Sequence, residues 1–134
     1  MLGEKLFEEK AELGSNFIEV TDEGVMMKQS FQGEIMGMGK FPSGMNMTSG
    51  WVKVKPTGKA WGKWNGMIMT KDGDMVVWWG HGNSMRSGPK VSGLMTITYM
   101  TMSEKLKWMN QLLVVAEVHG EMNNVMVTGH EWKL

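Results

Sequence analysis

Eighteen glycines punctuate this 134-residue chain, and the runs between them are short and rich in Val, Ile, Thr, Trp and Met. An antiparallel all-β chain reads this way, each glycine marking a turn or a bend between strands. The sharpest turn signal is Asp72-Gly73, set between two apolar runs in WGKWNGMIMTKDGDMVVWWGHG. Asp-Gly favours a hairpin because glycine accepts the positive φ that tight turns require. A second hairpin is expected over residues 112–132, turning between Gly120 and Asn124. A third turn falls in KPTGK, where Pro56 presets φ and Gly58 gives freedom.

Outward from these turns, strands are expected over residues 16–21, 25–40, 48–55, 60–70, 75–84, 91–102, 112–119 and 125–133. One short helix is expected at 103–110, SEKLKWMN, with Ser103 as cap and Leu106 and Met109 on one face. The opening GEKLFEEKAELG has helix-favouring residues stopped by Gly14, yet pairing with the next segment makes a strand the expectation. About eight consecutive antiparallel strands would leave two open edges, and closing them makes one small barrel, a single domain over residues 1–134. Such a barrel is just wide enough to be filled by side chains or to hold one small ligand. Gly37, Gly39, Gly62, Gly66 and Gly93 fall inside expected strands, where they suit sharp bends.

Charge removes several function classes. The 14 basic residues balance 14 acidic ones, and only Arg86 among the basic residues is Arg. Nucleic acid and anionic membrane are therefore not expected as partners. No cysteine is present, which excludes disulfides, thiolate metal sites and Cys nucleophiles. With no leader-like opening and no bilayer-length apolar run, a soluble cytoplasmic protein is expected.

The motifs that carry chemistry are sparse. Met-x-Met occurs at Met36/Met38, Met45/Met47, Met67/Met69 and Met100/Met102, a spelling that suits soft copper(I) but is also the period of one strand face. His81, His119 and His130 form no close pair, so neither a metal nor a cofactor is expected. No Gly-x-Ser-x-Gly elbow occurs, and GKFPSG and GHGNSMRSG do not match nucleotide-binding loops. General acid-base chemistry is the enzymatic option, because an apolar cavity desolvates a carboxyl or imidazole and moves its pKa toward neutrality. Glu117 and His119, which interrupt an apolar strand, and His81, near Trp78 and Trp79, are the catalytic candidates. Met36, Met38, Trp64 and Trp79 are expected as ligand-binding wall, with Tyr99 and Arg86 as hydrogen-bond donors to a ligand oxygen. Apolar residues on both faces of 112–119 add the expectation of a homo-oligomer, since a second copy most simply buries the outer face.

The segments GMIMTKDGDMVVWWGHG, TMSEKLKWMN and HEWKL resemble those of a family of small uncharacterised prokaryotic proteins, akin to allene oxide cyclase-like barrels of lipocalin-related architecture. That resemblance implies a barrel whose relatives include cyclases and carriers of apolar ligands, and it carries over no catalytic motif. The Arg-x-Tyr pair of fatty-acid-binding proteins is missing near the C-terminus, which argues against that family. Binding of a small apolar or aromatic molecule in a Met/Trp-lined cavity is the expected function. A cofactor-free cyclase or isomerase using a cavity carboxylate or His is the alternative, followed by a filled barrel acting as an oligomerisation or interaction module.

Overall fold

Asp72-Gly73 turns the chain, with Gly73 at φ +88° and Met69 paired to Met75 across the hairpin. The computed structural model describes residues 1–134, and all three expected turns join neighbouring antiparallel strands. The strands are β1 (Leu2–Thr21), β2 (Gly24–Gly37), β3 (Gly44–Val54), β4 (Lys59–Thr70), β5 (Met75–Ser87), β6 (Lys90–Thr101), β7 (Leu113–Glu121) and β8 (Asn124–Trp132). Each pairs with the next, and β8 returns to β1, so the meander closes into an eight-stranded barrel. No helix is long and apolar enough to cross a membrane.

The ambiguous opening is strand. In β1, Phe7, Glu9, Ala11 and Leu13 line the barrel interior, and the intervening Glu8, Lys10 and Glu12 point outward. The register with β2 shifts between Leu13 and Ser15, where Gly14 leaves room beside Ser30 Oγ. Ser15 N donates to Ser30 Oγ at 3.0 Å, and the two hydroxyls meet at 2.6 Å. Beyond Glu12, β1 pairs with β2 alone, so its outer half rises past β8 as a free edge carrying exposed Phe17, Ile18 and Val20.

The expected helix at 103–110 is a correction. Only Lys107–Gln111 is helical, as one 3₁₀ turn, and Ser103 does not cap it. Leu106, Met109 and Leu112 are buried at intervals of three, which matches three residues per turn better than 3.6. Asn110 then ties the segment down, its Oδ1 accepting from Thr101 N at 2.8 Å and its Nδ2 donating to Thr101 O at 3.2 Å.

This segment plugs one barrel end. Phe41, in the β2–β3 loop, stacks on Phe7 with centroids 5.0 Å apart and meets Tyr99 edge-on at 5.8 Å. Leu106, Met109 and Leu112 belong to the same buried cluster. Lys40 Nζ lies 4.3 Å above the Trp108 ring, and Lys105 reaches Asp72 at 3.0 Å and Asp74 at 3.1 Å, fastening the plug to the β4–β5 turn.

Candidate binding cavity

Above that plug the barrel is hollow. A cavity of about 180 Å³ runs from Phe7, Glu9 and Tyr99 toward the opposite rim, where Arg86, Pro89 and Met122 stand. None of the plug residues Phe41, Leu106 and Met109 lines it, and its exposed wall residues Arg86, Pro89 and Met122 stand at the far rim. Most of its wall is apolar, including Phe31, Ile35, Val52, Trp64, Ile68 and Ile97.

Its floor holds one polar chain that the sequence analysis did not single out. Trp78 Nε1 donates to Asn46 Oδ1 at 2.8 Å, and Asn46 Nδ2 donates to Glu9 Oε2 at 3.0 Å. The indole occupies the amide's acceptor and so turns its NH₂ group toward the carboxyl. Glu9 and Asn46 are only 6% and 3% exposed. Burial raises the Glu9 pKa to about 7, and the Asn46 hydrogen bond opposes that rise. Burial, with the Glu9 charge, also raises the Tyr99 pKa, so its phenol stays protonated.

Two glycines make room for this chain. A Cβ at Gly33 would overlap Glu9 Oε2, and one at Gly66 would overlap the Trp78 indole. At Gly66, then, the absent side chain serves the interior and not only a bend.

Trp64, Tyr99 and Arg86 line the cavity, with Trp64 edge-on to Phe31 at 5.7 Å and Arg86 exposed at the mouth. The other expected site residues lie elsewhere. Trp79 and His81 alternate with inward Trp78 and Gly82 and are exposed on the outer surface. Glu117 and His119 are exposed outside β7, with His119 Nε2 3.7 Å from Glu117 Oε2, because Val118 and Gly120 take the inward positions. Met36 is exposed on β2, and Met38 sits in the β2–β3 loop, its N–H donating to Leu6 O at 2.8 Å. Among the methionines only Met95 and Met122 line the cavity, so the wall is aromatic and aliphatic where a Met/Trp wall was expected.

Several of the other methionines form rows outside. Met45, Met69 and Met75 are register neighbours across β3, β4 and β5, and Met47 and Met67 make the next row. Met45, Met47, Met69 and Met75 are all exposed. Strand register therefore explains the Met45/Met47 and Met67/Met69 spellings as one outward face, whereas Met38 and Met102 lie beyond the ends of β2 and β6.

No family model and no curated protein matches this chain. Solved structures do. A protein of unknown function from Clostridium acetobutylicum shares 19% identity over 97% of this chain and 98% of its own, with a TM-score of 0.84. A beta-barrel like protein from Acinetobacter baumannii AYE shares 19% identity over 99% of this chain and 96% of its own, with a TM-score of 0.83. An enzyme from Penicillium herquei shares 20% identity over 96% of this chain and 92% of its own, with a TM-score of 0.68. At these identities the likeness is one of fold, and the fold is that of small β-barrel proteins.

Proposed function

We propose that this barrel binds a small apolar or aromatic molecule, with Glu9, Asn46 and Trp78 as the polar end of an otherwise apolar pocket. The observation that carries this reading is a hollow interior closed at one end and floored by an oriented buried carboxyl. Pockets of that make, mostly apolar with a few convergent polar groups, are the usual form of small-molecule sites. Native mass spectrometry of the purified protein, followed by organic extraction, should return one apolar molecule, and a single-ring probe such as toluene should bind at the same site. A ligand-free mass together with no toluene binding contradicts it.

A second reading is a cofactor-free cyclase or isomerase with Glu9 as the proton-transferring group. It is favoured by a carboxyl with pKa about 7, since general acid-base catalysis works best near the operating pH. Under this reading Glu9 takes the role that the sequence suggests for Glu117, His119 or His81. Turnover should change with an apparent pKa near 7 and be lost in Glu9→Gln, and an unchanged rate in that variant removes the reading.

The homo-oligomer expected from the outer face of 112–119 is proposed to form instead through the outer methionine rows of β3 to β5, an exposed apolar patch of the kind that marks interfaces. Sedimentation should show a dimer or higher species that Met69→Glu dissociates, and a wild-type monomer at all concentrations contradicts it.

A further inference from the structure

We infer that the molecule bound at the cavity floor carries a protonated amine on a single-ring aromatic or similarly small apolar body, an inference that rests on the cavity reading above. The Trp78–Asn46 pair at the floor presents a donor to Glu9 and so uses it as an acceptor. Trp78 donates to Asn46 Oδ1, which turns the amide NH₂ toward Glu9, and Asn46 spends a donor on Glu9 Oε2, so the carboxyl is held by one neutral hydrogen bond. The residues that line the cavity include three titratable groups only, Glu9, Tyr99 and Arg86. Tyr99 is neutral and supplies no countercharge. Arg86 lies eight positions along β5 from Trp78, roughly 26 Å at strand rise, and stands at the rim.

The protein thus brings an acid to the floor of an apolar pocket and brings no cation to meet it. An unpaired buried carboxylate is costly, and a ligand ammonium placed against it removes that cost while adding a charge-assisted hydrogen bond. A ligand carboxylate at the same place would meet a like charge or force Glu9 to keep its proton. A neutral aromatic would gain burial and nothing at the carboxyl. Size limits the body. The cavity of about 180 Å³ is close to the roughly 150 Å³ of an engineered apolar cavity that takes benzene.

Benzylamine, benzyl alcohol and benzoate present one ring with three head groups, and their affinities for the full chain can be compared by calorimetry at pH 8. Benzylamine should bind at least tenfold more tightly than benzyl alcohol, with benzoate weakest. Glu9→Gln should cut the amine's advantage over the alcohol at least tenfold, while circular dichroism and the urea midpoint report that the variant is folded. Lowering the pH to 5.5 should shrink the same advantage in the wild type, as Glu9 takes up its proton. Equal affinities for amine and alcohol, tighter binding of benzoate, or an amine preference that survives in Glu9→Gln overturns the inference and leaves the cavity standing. If none of the three binds, the cavity reading falls and the inference with it.

Discussion

Glu9 sits where a carboxyl is least expected, on the inward face of β1 between Phe7 and Ala11. Its folded pKa of about 7 exceeds the ordinary value of 4.5, so between those values the folded state binds the extra proton. Stability from this group is therefore fully present below the unfolded value and is lost as pH rises through 7, by on the order of 3 kcal/mol. Urea unfolding at pH 5 and pH 8 should show wild type losing that much relative to Glu9→Gln, and an identical difference at both pH values contradicts the assignment. Gly66→Ala should cost about 1–3 kcal/mol by driving a methyl into the Trp78 indole, read as a lower urea midpoint. Neither Glu9 nor Asn46 was legible in the sequence as a site residue. Charges at Glu8, Glu9 and Lys10 fall on both faces and hide the alternation, and a strand Glu is normally solvated. Asn46 is flanked by Met45 and Met47, so the pair drew attention to the outward face while the inward residue stood between them. A usable signal was present in Phe7, Glu9, Ala11 and Leu13, an apolar set at a spacing of two with one acid in it.

Strand number, meander order and turns were legible because Asp72-Gly73, Pro56 and Gly58, and the Gly120 to Asn124 region carry local turn chemistry. What failed locally was settled by tertiary packing. Leu106 and Met109 fit a helix face as well as a 3₁₀ face, and only the need to seat Leu112 as well on the barrel end selects the tighter turn. The β2–β3 loop works with that turn. Removing the ring in Phe41→Ala should cost about 3–5 kcal/mol, because it deletes the stack on Phe7 and the edge contact to Tyr99. Chemical denaturation measures this directly, and a loss below 1 kcal/mol would mean that the plug does not hold the barrel end. The β7–β8 turn carries its own strain, with Met122 at φ +57°. Met122→Asn should raise the melting temperature, since Asn tolerates that region better than Met, and a lowered melting temperature contradicts it.

At the scale of the whole molecule, closure follows from eight paired strands, yet neither the hollow interior nor which face points inward could be read from hydrophobicity. Both faces of β3 to β5 are apolar in places, and the outward one holds Met45, Met69 and Met75. The inward one holds Asn46, Trp64 and Trp78, with Gly66 set beside the Trp78 ring and Glu9 of β1 meeting Asn46 across the interior. The same inversion moved Trp79, His81, Glu117 and His119 outside and left Trp64, Tyr99 and Arg86 along the cavity. Everything proposed about function depends on that interior being open to an apolar molecule. Crystals of the protein soaked in toluene test it most directly: electron density for one ring enclosed by Trp64, Trp78 and Ile97 above Glu9 is the expected result. A solid interior, with these side chains packed across the barrel and toluene absent from it, would contradict a binding cavity.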